Sequence, residues 1–384
     1  MKIVIAPDSF KECLSAKEVA GAIATGWKTV LPETDIVKLP MADGGEGTLT
    51  AMIDATDGEY HSLTVSGPLG TPIEARFGLL GNSSTAVIEM AEASGLEKVP
   101  QEHRNPLTAT SYGTGELIRA ALDKGVKEII VTLGGSATND GGTGMMAALG
   151  VRFLNSRGQD IGYVIKDFHQ LAAIDVSQMD PRLKSTQFVT ACDVDNPLVG
   201  ASGASAVFGP QKGANTDMVR TLDQRLTQYA DVLENTLQKK VRHLPGTGAA
   251  GGMAAALVAF MDSTLKPGIE IVIEAAGLKG HLHDADLVIT GEGRIDSQTL
   301  NGKTPVGVAR CAKSFNLPVI ALGGSVSNEL GLLREAGIDV AISVISSPCT
   351  LDEALKLGEA NLRQMGEVLA ALYRVSSQKN FPAS

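Results

Sequence analysis

The sequence has 384 residues, a hydrophobic content of 43%, a charged content of 20% and a formal net charge of -10. This length exceeds what one hydrophobic core usually serves, so we expect two domains. The composition is that of a globular protein with little disorder, and the negative net charge argues against nucleic acid or an anionic membrane as a partner. The 43 glycines and 4% aromatic content favour an α/β enzyme with many tight loops.

Cysteine usage and the start of the chain indicate where the protein works. The four cysteines have neither the paired spacing of a zinc site nor that of a disulfide framework. The first apolar run, residues 2–6, is too short for a signal peptide, and no run approaches the length of a membrane span. We therefore expect a reduced, cytoplasmic protein.

The N-terminal segment predicts the start of a doubly wound unit. Strands at 2–6 and 36–39 flank a helix that opens with a capping box at Ser15 and Glu18. Polar residues follow each strand, in Asp8-Ser9-Phe10-Lys11 and in Asp43-Gly44-Gly45-Glu46. Open parallel sheets bind ligands at the carboxyl ends of their strands, so these residues are candidate ligand contacts.

The next part of the chain has a different pattern. Short apolar runs at 63–65, 73–80 and 86–90 are separated by turn residues, which predicts a small antiparallel or mixed sheet. A helix over 114–122 then leads to a buried strand at 128–133.

A glycine-rich loop follows that strand, from Gly134 to Gly144, and a helix begins at Met145. Small residues allow a ligand to approach the backbone closely, and free amides at a helix start favour an anion. The loop is neither a Walker A loop nor a dinucleotide fingerprint. It therefore predicts a phosphate-binding loop, with tight strand-to-helix packing as the alternative.

The middle of the chain repeats this arrangement. A strand at 188–192 ends at Asp193, a short strand is predicted at 204–208, and a long amphipathic helix at 216–237. A second glycine-rich loop, 246–252, opens a helix at 253–261.

The C-terminal part returns to alternating strands and helices. The strand at 286–290 leads to Gly291, Arg294 and Asp296, and further strands are predicted at 318–322 and 340–345. Thr304 is predicted to be a helix N-cap. A capping box at 350 and 353 opens the last helix, and we expect the tail 376–384 to be loose.

This order predicts an α/β protein with a discontinuous domain. Residues 1–57 and 285–384 form a Rossmann-like three-layer domain with a parallel sheet. Residues 58–284 form a second, mixed-sheet α/β domain inserted in the middle.

The candidate residues suit phosphoryl transfer, which needs amides or cations around phosphates, carboxylates for magnesium, a group to orient or deprotonate the acceptor, and a cationic clamp. Six motifs, read together, resemble the bacterial type-1 glycerate kinases across nearly the whole chain. These motifs begin at Ile5, Ala42, Gly134, Ala191, Phe208 and Thr290, and read IAPDSFK, ADGGEGT, GGSAT, ACDVDNPL, FGPQKGA and TGEGRID.

The resemblance implies a two-domain α/β enzyme with a cleft, which uses ATP and Mg²⁺ to phosphorylate D-glycerate. The implied product is 2-phosphoglycerate, in the glyoxylate and glucarate routes. Its partners are then a small-molecule substrate and ATP, with no nucleic acid or membrane, and a homodimer is left open. The alternatives are a glycerate 3-kinase, a nucleotide-dependent enzyme such as a dehydrogenase, or a non-catalytic metabolite-binding protein.

Roles follow from the chemistry of each side chain. Arg294 presents a planar fork to the glycerate carboxylate, and Asp193 is the predicted base. The predicted catalytic residues are Asp193, Lys11, Arg294 and Asp296; the substrate-binding residues are Asp8, Ser9, Asp43, Glu46 and Arg294; the nucleotide-binding residues are Gly134, Gly135, Ser136, Thr138, Lys212, Gly248, Gly291 and Lys303; the metal ligands are Asp43 and Asp296. For each aspartate the alternative is a helix cap or loop acceptor. For Lys212 and Lys303 the alternative is a solvated surface lysine.

Overall fold

The computed structural model describes residues 1–328 and 330–378, so residues 379–384 of the predicted loose tail lie outside it. The described chain forms two compact units. Unit one comprises 1–43, 50–56 and the chain from residue 269 onward, and unit two comprises 44–49 and 57–268. The domain boundaries near 57 and 285 stay predictions.

The strands have the following bounds. They are β1 (Lys2–Ile5), β2 (Asp35–Lys38), β3 (Glu59–Ser66), β4 (Pro72–Leu79), β5 (Thr85–Glu89), β6 (Glu128–Thr132), β7 (Arg152–Leu154), β8 (Ala173–Asp175), β9 (Gln187–Ala191), β10 (Thr264–Lys266), β11 (Leu287–Ile295), β12 (Val319–Val326) and β13 (Val340–Ser343).

The α-helices connect these strands. They are α1 (Ala16–Val30), α2 (Thr48–Thr56), α3 (Ala91–Ser94), α4 (Tyr112–Asp123), α5 (Thr143–Ala148), α6 (Ala204–Phe208), α7 (Thr216–Leu237), α8 (Ala249–Met261), α9 (Gly268–Ala275), α10 (Leu278–Leu282), α11 (Thr304–Lys313), α12 (Leu330–Glu335), α13 (Leu351–Lys356) and α14 (Gly358–Gln378).

Unit one contains a parallel sheet in the order β13-β12-β11-β1-β2. The central strand β1 pairs on both sides, and Val4 lies opposite Val37 and Val288. Because every pairing in this sheet is parallel, the carboxyl ends of its strands lie along one edge. That edge positions the acidic residues predicted from the sequence.

Unit two contains a mixed sheet in the order β10-β9-β6-β5-β4-β3. Strands β3, β4 and β5 pair antiparallel, while β5, β6, β9 and β10 run parallel. The predicted α/β class, with one parallel and one mixed sheet, is confirmed. Among the described residues no helix is both long and apolar enough to cross a bilayer.

One predicted strand is wrong. Residues 204–208 form α6, because Val207 donates its N–H to Gly203 and Gly209 donates to Ser205, so the segment satisfies its backbone groups locally. Five residues are too few for periodicity to separate a strand from a helix. Three residues are likewise too few for a periodic pattern, so the short strands β7, β8 and β10 were not predicted.

Helices α1 and α14 pack at very short range through glycine. A Cβ added at Gly26 in α1 lies only 1.8 Å from the carbonyl oxygen of Arg363, and one added at Gly366 in α14 lies 2.4 Å from the carbonyl oxygen of Ile23. Trp27, which is fully buried, donates its indole N–H to Thr34 at 3.0 Å beside this contact. The absence of side chains at these glycines lets the two backbones approach.

Gly26→Ala is therefore expected to lower the free energy of unfolding by about 1–3 kcal/mol, the usual cost of overpacking. Gly21→Ala in the same helix is the matched control, because a Cβ there has no heavy atom within 4 Å. It is expected to stabilise the protein by about 0.5–1 kcal/mol through helix propensity. Chemical denaturation of both variants measures the difference, and equal midpoints contradict the packing argument.

Candidate active site

In unit one, carboxyl groups gather at the edge where β1, β2 and β11 end. Asp8, partly buried, accepts a hydrogen bond from the Thr304 hydroxyl at 2.5 Å and one from the Ser9 N–H at 2.6 Å. Burial raises the pKa of Asp8 to about 7, and the neighbouring charges of Asp43 and Glu292 add to this increase. This aspartate is therefore protonated in part at neutral pH.

Glu292 is the second buried carboxylate of this edge. It accepts the Thr299 hydroxyl at 2.6 Å, and the Lys303 ammonium lies 3.7 Å from its other oxygen. Burial raises the pKa of Glu292, and the charges of Asp43 and Asp296 contribute in the same direction. Both pKa values are thus raised chiefly by burial, and neighbouring carboxylates add a smaller contribution in the same direction.

Two of the cations predicted for this region, Arg294 and Lys11, are exposed. The Arg294 side chain is 77% exposed, and its Nε lies 2.8 Å from Asp296. Asp296 also accepts the Gln298 N–H at 2.8 Å, and Lys11 lies exposed in the turn after β1. An exposed ion pair contributes little to stability, so Arg294 can exchange this partner for another carboxylate.

The structure bears on two further predictions, one for a helix N-cap and one for a glycine. Thr304 was predicted as an N-cap, but the N-cap of α11 is Lys303, and the Thr304 hydroxyl binds Asp8 instead. Gly291 is buried within β11, where a Cβ lies 2.3 Å from the carbonyl oxygen of Leu322. Close pairing with β12 therefore accounts for this glycine, and its contact with a nucleotide stays a prediction.

In unit two, the first residues after β6 form an accessible turn. Gly134 is half-buried and Gly135 is exposed with a φ of +71°. Gly135 accepts the Leu96 N–H at 2.7 Å and Ala137 donates to Ser94 at 2.9 Å, which fixes the turn on one side. Within 1–328 and 330–378, the N–H groups of Gly134 and Gly135 have no hydrogen-bond acceptor. These two amides are suited to an anion.

The rest of this loop packs against the second glycine-rich loop. Gly141 donates its N–H to Gly251 at 2.9 Å, and a Cβ on Gly251 lies 2.1 Å from the Thr138 carbonyl oxygen. Gly248 is buried and already donates to Asn196 at 2.9 Å. The tight-packing alternative therefore describes the deeper part of both loops, whereas the phosphate-binding interpretation remains for the exposed turn at Gly134 and Gly135.

Asp140, which the sequence did not single out, organises the deep part of the first loop. It is 1% exposed and accepts the N–H and hydroxyl of Ser111 at 2.9 and 2.7 Å, and the Gly142 N–H at 3.0 Å. Burial raises the pKa of Asp140 despite these bonds. The carboxylate thereby holds the starts of α4 and α5.

Lys212, predicted to bind nucleotide, is only 2% exposed. Its ammonium donates to the Ser136 hydroxyl at 2.7 Å and to the Thr138 carbonyl at 2.6 Å. The surface-lysine alternative is excluded by this burial. The hydroxyl of Thr138 is buried and has no hydrogen-bond partner among the described residues.

Asp193 follows β9 and is held by backbone contacts. Its Oδ1 accepts the Gly268 N–H at 3.0 Å. Gly44 has a φ of +94°, and a Cβ on it lies 3.1 Å from the Asp193 Oδ2, so only glycine leaves this carboxylate unobstructed. The side chain is exposed, and its role as the base stays a prediction.

Glu89 is a second residue that the sequence analysis missed. This buried carboxylate at the end of β5 accepts the N–H groups of Gly47 and Leu49 at 3.1 and 3.0 Å, and so fixes the segment that carries the exposed Glu46. Burial raises the pKa of Glu89. A carboxylate as the last residue of an apolar strand is the signal that could have identified it.

Three comparisons with known proteins agree. Residues 3–374 match the model of the glycerate kinase family. A Bacillus cereus protein named glycerate kinase is 51% identical over 99% of this chain and 100% of its own length. An Escherichia coli K12 protein named glycerate 2-kinase is 52% identical over 97% of both chains. A crystal structure from Salmonella typhimurium LT2, assigned as glycerate kinase 2, superposes with a TM-score of 0.92 at 53% identity and covers 99% of this chain and 100% of its own.

Proposed function

Since the chain belongs to the glycerate kinase family, we propose that it phosphorylates D-glycerate with ATP, at the 2-hydroxyl, to give 2-phosphoglycerate. The observation that carries this proposal is the 52% identity, over 97% of both chains, to a relative named glycerate 2-kinase. That name favours the 2-position over the 3-position. Exposed amides in unit two, and strand-end carboxylates and cations in unit one, are the kinds of group that phosphoryl transfer uses.

The proposed reaction assigns one task to each group. The glycerate 2-hydroxyl oxygen forms a bond to the γ-phosphorus, the bond from that phosphorus to the ADP oxygen breaks, and Asp193 receives the hydroxyl proton. The N–H groups of Gly134 and Gly135 bind phosphate oxygens, whereas the hydroxyl of the buried Ser136 is bonded to the Lys212 ammonium at 2.7 Å. Arg294, Lys11 and Ser9 bind the glycerate carboxylate, because a guanidinium can bind a carboxylate in bidentate fashion.

The unit-one carboxylates fit a magnesium ion. Within 1–328 and 330–378 no three His, Cys, Asp or Glu side chains form a complete metal cluster. Mg²⁺, however, commonly uses one or two carboxylates together with phosphates and water. Burial raises the pKa values of Asp8 and Glu292 and neighbouring carboxylates add to the increase, so a nearby cation would favour the ionised forms of both groups. We propose Asp43 and Asp296 as the ligands, and Mg²⁺ when bound neutralises charge on the β- and γ-phosphates.

The assay combines purified protein, ATP, MgCl₂ and D-glycerate, with ADP release as the readout. Enolase added to the mixture consumes the 2-phosphate directly and identifies the product. Absence of ADP release excludes the kinase, and ADP release without direct enolase consumption indicates the 3-kinase. Thermal stabilisation by glycerate without turnover indicates the non-catalytic binding protein.

Arg294→Ala is expected to raise the KM for D-glycerate by roughly tenfold to a hundredfold with a smaller change in KM for ATP, because a charge-assisted hydrogen bond contributes about 1.5–3 kcal/mol. Arg310→Ala, at an exposed position of α11, is the control. Steady-state kinetics with each substrate varied in turn make the measurement. An unchanged KM for glycerate would indicate that Arg294 contacts ATP or has a structural role instead.

Cellular location and assembly remain proposals. All four cysteines are free thiols, in agreement with a reducing compartment, and we propose a cytoplasmic enzyme. A homodimer stays a prediction, which sedimentation of the purified protein measures directly.

A further inference from the structure

Lys212 is separated from solvent and yet bonded to the loop that carries the exposed amides. The residue ends a short turn, Pro210–Lys212, and Gly213 follows with a φ of +94°. A Cβ on Gly213 lies 2.5 Å from the carbonyl oxygen of Arg104, so the turn is pressed against a neighbouring segment. The backbone at the base of the Lys212 side chain is therefore fixed.

The ammonium group at the other end of this side chain holds two points of the loop. It donates to the Ser136 hydroxyl at 2.7 Å and to the Thr138 carbonyl at 2.6 Å. Ser94 and Leu96 bond the same loop from another side, through the Ala137 N–H and the Gly135 carbonyl. Residues 135–138 are thus held by Lys212 on one side and by Ser94 and Leu96 on the other.

The position of the ammonium argues against direct contact with a nucleotide. The residue is 2% exposed and two of its three N–H donors are occupied within the protein. Burial also lowers the pKa of Lys212 to about 7, although the Asp140 carboxylate acts in the opposite direction. A phosphate-binding lysine is expected to present its charge at the surface of the loop.

We propose that Lys212 is a positioning residue, which fixes the turn at Gly134–Ser136 in its anion-binding conformation without touching the nucleotide. This inference rests on the proposed function, since it assumes that the turn binds phosphate. It replaces the direct nucleotide contact expected from the sequence.

The mechanism predicts an effect in the protein without nucleotide. In Lys212→Met, amide hydrogen exchange at Ala137, whose N–H donates to the Ser94 carbonyl at 2.9 Å, is expected to accelerate at least tenfold before any ligand is added, as measured on peptides covering residues 134–138. Lys166→Met, at an exposed position of unit two, is the control and is expected to exchange as the unmodified protein does. Unchanged exchange in Lys212→Met overturns the proposal, whether or not the protein proves to be a kinase.

Binding of ATP tests the connection to the ligand. The Kd, measured by calorimetry, is expected to rise tenfold or more in Lys212→Met and by a smaller factor in Ser136→Ala. The double variant is expected to bind no more weakly than Lys212→Met, because Lys212 acts through Ser136 and Thr138. Multiplicative losses overturn the proposal, since they indicate that Lys212 contacts ATP independently.

A second variant covers the case in which methionine prevents folding. Lys212→Gln retains an amide donor, so it is expected to fold and to show exchange between the unmodified protein and Ser136→Ala at residues 134–138. Exchange equal to that of the unmodified protein in both Lys212→Gln and Ser136→Ala overturns the proposal. If the unmodified protein does not bind ATP, the proposed function is wrong. The exchange experiment still tests whether Lys212 fixes the conformation of the turn.

Discussion

Asp193→Asn is expected to lower kcat by about 10²–10⁴, the usual contribution of a general base. Asparagine retains an oxygen that accepts the Gly268 N–H, now bonded to Asp193 at 3.0 Å, so the loop after β9 keeps its conformation. What the variant loses is the ability to accept the hydroxyl proton. The Kd for ATP is expected to stay within about threefold, since the substitution removes no proposed nucleotide contact. Single-turnover kinetics and calorimetry measure the two quantities.

Asp195→Asn is the matched control for this prediction. Asp195 is exposed two residues further along the same loop. It is expected to retain kcat within about twofold, because surface substitutions away from special contacts usually have small effects. Near-normal turnover in Asp193→Asn would assign the base elsewhere, and Asp8, with a pKa of about 7, is then the next candidate.

The sequence predicted the fold class because long helices and strands carry a clear hydrophobic periodicity. Helix α7 was predicted at 216–237 and is observed over Thr216–Leu237, and the capping boxes at Ser15 and Thr350 are both present, although the second opens α13 and not the last helix, α14. These features depend on residues within a few positions of each other. The errors fall on short segments such as 204–208, where neighbouring elements decide the conformation.

The residue types of the candidate site could be predicted from the sequence, but the contacts between those residues could not. Asp8, Asp43 and Asp193 were predicted as candidates because they follow strands, and the topology of parallel sheets determines where strands end; their roles stay predictions. The sequence could not show that Lys212 bonds residues 76 and 74 positions away, or that Gly141 donates to Gly251. The two glycine-rich loops looked alike in sequence, and only their packing separates exposed amides from buried ones.

Burial of carboxylates therefore connects stability with function in unit one. Burial raises the pKa values of both Asp8 and Glu292, and neighbouring carboxylates add to the increase. Buried ionised carboxylates destabilise the folded protein when no cation is bound. A purely structural role would not require carboxylates at these positions. Removing one charge is therefore expected to stabilise the fold while it weakens the proposed glycerate site.

Asp8→Asn is expected to show both effects. The pKa of Asp8 is about 7 in the folded state against 3.8 for the unperturbed group. The folded state thus retains a proton that the unfolded chain releases, and stability is lost as pH rises through the window from about 4 to 7. Asparagine stays neutral, so at pH 8 the variant is expected to gain up to about 4 kcal/mol in free energy of unfolding, at about 1.4 kcal/mol per pKa unit.

The measurement is denaturant unfolding at pH 5 and pH 8 in EDTA, with Asp35→Asn, an exposed aspartate of unit one, as the control. The gain for Asp8→Asn is expected to be clearly larger at pH 8 than at pH 5, whereas the control curves stay parallel to those of the unmodified protein. The same variant is expected to lose roughly tenfold to a hundredfold in kcat/KM for D-glycerate, because asparagine cannot reproduce the hydrogen bonds of a carboxyl group that titrates near neutrality.

A stability gain without any kinetic loss would show that the cost of burying the Asp8 charge is unrelated to the substrate. A loss of stability at pH 8 would show that its bonds to Thr304 and Ser9 outweigh the cost of burying its charge.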